Sequence, residues 1–352
     1  MQQITSPAFF IGREEKGLIS FGSGQPDLPP PKEVFKVLPH YHAFRYGLVQ
    51  GQINLREDLS KEYPGSTKDD FIITNGASEA LDLSIRYIAK HGGKKILIHR
   101  PYYYAYPKLV ELAGMKPVFT ELVAGKIDIG DFEEKFKQCD GAIINSPCNP
   151  AGTVQDHSIM RAIEKLSRDL NKFVISDEVY KDIIYVKNKY QMKGQKIIRV
   201  DSFSKTYDMT GYRVGYIYSK NKELIQDAIN IKNVTSLNTS IIAQQMAHAA
   251  LKAPKKYIKE HLKIWKERRD VMYEGLVDLG LETWKPEGAF YILASMKNPT
   301  KVMHDLYYKH KLVVYDGNWF GAPDKIRFSY AVDSEKIKEG LKRVKKYLES
   351  KK

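Results

Sequence analysis

The sequence predicts an α/β protein: a mainly parallel sheet sandwiched by helices, joined to a smaller α+β domain. Three observations carry this. Short, nearly continuous apolar runs recur at Phe71-Ile72-Ile73-Thr74, Lys95-Ile96-Leu97-Ile98, Gly141-Ala142-Ile143-Ile144-Asn145 and Phe173-Val174-Ile175-Ser176-Asp177, as strands buried on both faces do. Helical periodicity separates them, and alternating strands and helices favour parallel pairing. After Tyr218 the pattern changes to long helices, about Asn221 to Asn230 and about Ser240 to Leu279, and beyond Phe290-Tyr291 to short strands and a final amphipathic helix. The expected division is 1–45 as an N-terminal arm and part of the small domain, 46–265 as the large domain that carries the site, and 266–352 as the C-terminal small domain.

Composition narrows the class. At 352 residues and 43% hydrophobic the chain can bury a large core. No apolar run approaches the roughly 20 residues of a membrane span, and the N-terminus lacks a charged segment followed by an apolar one, so a cytoplasmic location is expected. Cys139 and Cys148 are too few for a disulfide framework and lie at no metal-ligand spacing, so no metal is expected. The formal net charge of +14 would suit a polyanion. The lysines are scattered along helical surfaces and the C-terminal end, as on solvated faces, so no nucleic-acid partner is expected.

Taken in order, Leu18 to Asp27 reads as a short strand breaking into a Gly/Pro turn, where glycine permits close backbone approach or merely a turn. Tyr46 lies in a Gly-punctuated loop, and Asn54 is placed to cap a helix beginning at Leu55. The run ending at Thr74 passes through Asn75-Gly76-Ala77-Ser78 into a helix. In such a turn free N–H groups and the positive end of the helix dipole can bind a phosphate. No lysine of the nucleotide-binding phosphate loop is present there. Arg100 to Pro107 contains four tyrosines beside a strand end, suited to core packing or to a flat ring face for a planar ligand. Asp201 to Tyr216 holds Lys205 in a turn of hydroxyl residues after a β-like run, Lys196 to Val200, with Arg213 eight positions later. Ligands of parallel sheets bind beyond the carboxyl ends of the strands. Asn75, Tyr103, Asn149, Asp177 and Lys205 all fall there.

These residue types suit one cofactor. A lysine amine condenses with carbonyls, and pyridoxal phosphate adds the electron sink that protein side chains lack. Lys205 can take the aldehyde and Asp177 can keep the ring nitrogen protonated. Asn149 and Tyr180 can bond the phenolate oxygen. Arg213, Ser202, Ser204 and the amides of Gly76, Ala77 and Ser78 can bind the phosphate.

Over nearly its whole length the chain resembles the fold-type I, class I/II aminotransferases of the aspartate aminotransferase superfamily. Ser202-Phe203-Ser204-Lys205 followed by Gly211-Tyr212-Arg213-Val214-Gly215-Tyr216 is similar to the family's lysine signature, which implies Lys205 as the Schiff-base and proton-shuttling residue and Arg213 as a phosphate ligand. Asn145-Ser146-Pro147-Cys148-Asn149-Pro150-Ala151-Gly152 resembles its Asn-Pro-x-Gly motif, which implies that Asn149 touches cofactor and substrate carboxylate. Ser176-Asp177-Glu178-Val179-Tyr180 matches a further motif, and Tyr103 resembles the ring-stacking residue. Tyr46, five residues before Gly51, resembles the tyrosine that reaches the phosphate of the neighbouring subunit, which implies a homodimer with shared sites. Arg327, in Ile326-Arg327-Phe328-Ser329, and Gly24 resemble the residues that hold the substrate α-carboxylate. Tyr103 stands where some relatives have tryptophan or phenylalanine. Ser78 stands where some bacterial aspartate enzymes of the family have a lysine for the distal carboxylate, so dicarboxylate specificity does not carry over.

The expectation is therefore an aminotransferase moving the amino group of an L-amino acid, with aspartate, aromatic or broad specificity, to a 2-oxo acid such as 2-oxoglutarate. A fold-type I lyase or synthase, for instance a C–S lyase, and a histidinol-phosphate-type aminotransferase would use the same residues. A non-catalytic regulator is disfavoured by the intact Lys205 and by the roughly 17 residues before the first strand, since such regulators carry a DNA-binding domain. Trp319, Tyr102, Tyr106 and Phe10 could line an apolar substrate pocket, and each also suits ordinary packing.

Overall fold

A computed structural model describes residues 4–351. Eight strands form the large sheet in the spatial order Phe71–Thr74, Gly215–Tyr218, Ile197–Ser202, Phe173–Asp177, Gly141–Asn145, Lys95–Arg100, Lys116–Val123 and Lys126–Ile127. Neighbours from Ile197–Ser202 to Lys116–Val123 pair in parallel, while Gly215–Tyr218 is antiparallel to both of its neighbours. The sheet is thus mainly parallel, with one reversed strand inside it. An apolar run does not encode its direction, and the short link from Ser202 to Gly215 returns the chain beside the strand it left.

The two-residue alternation of each strand divides its side chains between two apolar layers. Ile96, Ile98, Ile143, Ile175, Ile198 and Ile217 pack on one face under the helices Gly76–Lys90 and Lys222–Thr235. Leu97, Ala142, Ile144 and Val174 pack on the other with Phe132, Phe136, Met160 and Ile163 of the helices Ile129–Lys137 and His157–Asp169. Further along that sheet Phe71, Ile73 and Tyr216 meet the helices Ile53–Lys61 and Ile241–Leu251.

Three local expectations need correction. The helix expected from Ser240 to Leu279 is two helices, Ile241–Leu251 and Lys255–Asp278, because Pro254 lacks an N–H and restricts the residue before it. The helix expected over Asn221 to Asn230 runs from Lys222 to Thr235, with the Asn221 side chain accepting from Leu224 N at 3.0 Å. Asn54 does not cap its helix: the helix begins at Ile53, and the Asn54 side chain accepts from its neighbour Leu55 at 2.9 Å while Gln52 occupies the cap position.

The smaller unit holds an antiparallel sheet in the order Tyr291–Ser295, Lys325–Ser329, Tyr315–Asp316, together with the pair Ile19–Ser20 and Leu312–Val313. Its core joins Ile4, Phe10, Ile19 and Phe21 to Trp265, Met272, Phe290, Phe328, Ile337 and Val344. The helix Lys255–Asp278 runs from the large sheet's flank into this core. Its Tyr257 hydroxyl and His261 Nδ1 lie 2.6 and 2.7 Å from Asp208 Oδ2, tying it to the turn that carries Lys205.

Candidate active site

The parallel strands end along one edge of the sheet, and the last residues of the four central ones are Arg100, Asn145, Asp177 and Ser202. Beyond that edge lies a cavity of about 520 Å³. All the residues assigned from sequence to catalysis, cofactor or substrate carboxylate line it except Gly76 and Tyr46, and the strand-end residue Asn75 does not line it. Gly76 lies directly beneath the cavity wall, and Tyr46 stands elsewhere on the surface at 85% exposure.

Lys205 is recessed in the cavity on a short helix, Phe203–Thr206, capped by the Ser202 side chain. Its Nζ donates to the Gly24 carbonyl at 2.5 Å. Burial, with the Arg327 and Arg213 cations adding to it, pulls its pKa down to about 7, so the amine is available unprotonated near neutrality. Asp177 is buried, and this pushes its pKa up to about 6. Its Oδ2 accepts from the Tyr106 hydroxyl at 2.5 Å and its Oδ1 from Val179 N at 3.3 Å. Glu178, next to Asp177, and Asp201, next to Ser202, lie outside the cavity lining, where Glu178 pairs with Arg199 at 2.7 Å and Asp201 with Lys181 at 2.5 Å.

The turn after Asn145 is pinned by Asn145 itself, whose Oδ1 accepts from Asn149 N at 2.7 Å and whose Nδ2 donates to the Asp177 carbonyl at 3.1 Å. Asn149 Oδ1 in turn accepts from Arg327 Nη1 at 2.8 Å. Arg327 sits on the middle strand of the small sheet, and its guanidinium lies 4.4, 4.7 and 4.5 Å from the ring centroids of Tyr291, Tyr315 and Phe320. Its Nη2 donates to the Gly22 carbonyl, and its buried Nε has no partner. An unpaired buried donor on a guanidinium calls for an acceptor from outside the chain.

At the far end, the helix Gly76–Lys90 aims its free N–H groups at the cavity. Gly76 has φ +73°, and a Cβ there would fall 2.5 Å from Arg213 Nη2, so only glycine lets that guanidinium lie against the backbone. Ser202 Oγ lies 2.7 Å from Ser204 Oγ. A cation, helix N–H groups and two hydroxyls converge here, a donor set suited to a phosphate. Tyr103 adds an aromatic wall, meeting Tyr106 edge-to-face at 5.4 Å. The residues present therefore fit pyridoxal phosphate.

Sequence reasoning gives no role to Tyr291, yet its hydroxyl lies 2.8 Å from that of Tyr180. A Cβ on Gly24 would fall 1.7 Å from the same oxygen, so Gly24 is in contact with it. Glu79, in the cradle helix, is likewise unanticipated. It accepts from Asn75 N at 2.6 Å and pairs with the fully buried Lys232 at 2.9 Å, which offsets its charge close to the anion site. Of the aromatics considered for a substrate pocket, Tyr106 lines the cavity. Tyr102 instead stacks on Phe119, Phe10 packs on Tyr307, and Trp319 packs on Tyr315.

A weakly basic lysine held between an anion cradle and a stacked guanidinium is the equipment of an enzyme that moves amino groups between carbonyl compounds. The chain belongs to the family of class I and II aminotransferases, whose model matches residues 16–344. It is similar to the probable aspartate aminotransferase of Methanocaldococcus jannaschii, 33% identical over 94% of this chain and 93% of that one. Among solved structures it is similar to the aspartate aminotransferase of Thermotoga maritima, with a TM-score of 0.88 and 26% identity over 94% and 92% of the two chains. It is similar also to the aromatic aminotransferase of Pyrococcus horikoshii, with a TM-score of 0.87 and 27% identity over 98% and 99%. The protein is an aminotransferase of a family that depends on pyridoxal phosphate, and its substrates are amino and oxo acids. Among the described residues no helix is long and apolar enough to cross a membrane.

Proposed function

We propose that this aminotransferase binds pyridoxal phosphate in the 520 Å³ cavity and exchanges an amino group between an L-amino acid and a 2-oxo acid such as 2-oxoglutarate. The observation that carries the reading is Lys205, an amine brought to a pKa of about 7 between Arg213 and Arg327. When bound, the cofactor supplies a sink for the electron pair left as a bond to the substrate's Cα breaks. Arg213, the first amides of the helix Gly76–Lys90, Ser202 and Ser204 hold the phosphate. Asp177 holds the ring nitrogen, Tyr180 and Asn149 donate to the phenolate oxygen, and Tyr103 covers a ring face. Arg327 grips the substrate α-carboxylate, with Gly24 leaving room for its approach. Lys205 Nζ takes up the proton of Cα and gives it back, acting as base and then as acid.

The outer walls come from Pro7, Ile11, Gln25, Tyr104 and Tyr315, all neutral, which favours aromatic or broad amino donors over aspartate. The test is a donor panel with 2-oxoglutarate, followed by glutamate formation. Tyrosine or phenylalanine is expected to exceed aspartate in kcat/KM. A strict preference for aspartate would overturn the specificity, and release of ammonia with pyruvate in place of glutamate would overturn transamination itself.

The same reading includes a cytoplasmic homodimer. Phe44 and Tyr46 are 89% and 85% exposed beside a hollow formed with Tyr41, Asn238 and Ile241, and a surface of that kind favours a partner. Tyr46 would reach the neighbouring subunit's phosphate. Light scattering is expected to give twice the 40.4 kDa chain mass, and a monomer at assay concentration would refute shared sites. The division near 265 is supported by Trp265, the first fully buried residue that its helix gives to the small unit's core, one turn after Leu262 packs against it.

A further inference from the structure

We propose that Tyr106 is the positioning residue for the ring-nitrogen contact, its hydroxyl holding Asp177 as an aimed carboxylate while its ring braces Tyr103. The inference rests on the reading of Asp177 given above. Tyr106 is the second residue of the helix Ala105–Leu112 and is fully buried. Its backbone N–H donates to the Tyr103 carbonyl at 3.0 Å, its ring meets the Tyr103 ring at 80° and 5.4 Å, and its hydroxyl donates to Asp177 Oδ2 at 2.5 Å. One side chain thereby fixes both the face and the edge of the space the cofactor ring would fill.

The hydroxyl is needed because the surroundings of Asp177 work against its charge. Burial is the largest effect, and the Asp201 and Glu178 carboxylates lie close enough to add to it. The Cys148 thiol nearby stays protonated, its pKa pushed up to about 12 by burial. Lys205 is the cation whose charge Asp177 favours, and with its pKa near 7 it loses that charge as the pH rises past neutrality. Stabilisation of the anion therefore falls to two hydrogen bonds, from Tyr106 and from Val179 N, of which the first is much the shorter. A donor to a carboxylate lowers its basicity. Burial and the Asp177 charge hold the Tyr106 proton in place, with its pKa well above the usual tyrosine value, so Tyr106 donates without relaying. The consequence is that the proton shared with a bound ring stays on the ring nitrogen.

The test uses Tyr106→Phe, which keeps the ring and removes the donor. In apo-protein carrying ¹³C-labelled aspartate, the Asp177 signal is assigned by its loss in Asp177→Asn. Its titration midpoint is expected to rise from about 6 by about one to two pH units, the size of a hydrogen bond to a charged group. With ¹⁵N-labelled pyridoxal phosphate bound, the ring-nitrogen signal moves toward the unprotonated value. Binding of the 1-deaza analogue, which has no ring nitrogen, stays as in the wild type. An unmoved midpoint overturns the inference, as does a midpoint that moves without the ring-nitrogen signal. Equal weakening of cofactor and analogue would mark Tyr106 as packing alone and overturn it too. A wild-type ring nitrogen that is already unprotonated overturns the reading of Asp177 itself, and the inference with it.

Discussion

Replacing Lys205 with alanine is expected to lower turnover by roughly 10⁴-fold or more, with loss of the lysine-dependent absorption of the holoenzyme. No neighbouring group can substitute. Tyr180 is buried with its hydroxyl bonded to Tyr291 and its pKa raised well above the usual tyrosine range. Asp177 is held by Tyr106 on the side of the cavity assigned to the ring nitrogen. The pH dependence follows from the direction of the Lys205 shift. Its pKa is lowered to about 7, so the neutral amine is present above that pH and lost below it. Labelling of Lys205 in the apo-protein by an amine-selective reagent, read by peptide mass, should rise through about pH 7 and level off. An ordinary lysine keeps gaining reactivity toward about pH 10. A Lys205 that labels like the surface lysines, or an alanine variant that keeps both turnover and absorption, would remove the lysine from the mechanism.

Much of the site was legible because polar residues close apolar strands. Asp177 and Ser202 end runs that are otherwise buried, and a polar residue there needs a partner. At these two positions the partners face the cavity, and at the neighbouring residues, Glu178 after the first and Asp201 before the second, they face away from it. Tyr106 and Tyr291 were hidden for a different reason. The chain has 23 tyrosines, and what distinguishes these two is a hydroxyl partner 71 or 111 residues distant. Periodicity reports which face a residue occupies and says nothing of which oxygen it meets. The pairing of Glu79 with Lys232 spans 153 residues and was hidden in the same way. The parallel core of the sheet followed from the alternation of runs and helices, whereas the reversal at Gly215–Tyr218 depends on the path of the Lys205 turn.

Arg327→Ala should cost about 10³-fold in kcat/KM for an amino acid, in line with about 2–5 kcal/mol for truncating one side of a buried, hydrogen-bonded charge pair. The three rings around the guanidinium exclude water and hold its plane, and Asn149 and the Gly22 carbonyl fix two of its nitrogens. The remaining donor capacity, including the unpartnered Nε, is what a carboxylate would use. Lysine at this position should recover little, since a point charge cannot reproduce the planar fork or its stacking. The decisive comparison is between an amino acid and the amine formed from it by decarboxylation. Wild type should strongly prefer the amino acid, and Arg327→Ala should nearly abolish that preference while leaving the rate with the amine almost unchanged. Asn149 loses a donor in the same variant, so cofactor affinity must be measured alongside. If affinity falls while the carboxylate preference persists, Arg327 supports Asn149 and the α-carboxylate is bound elsewhere. If the preference collapses at unchanged cofactor affinity, the guanidinium itself reads the substrate, and the neutral outer walls are left to discriminate among side chains.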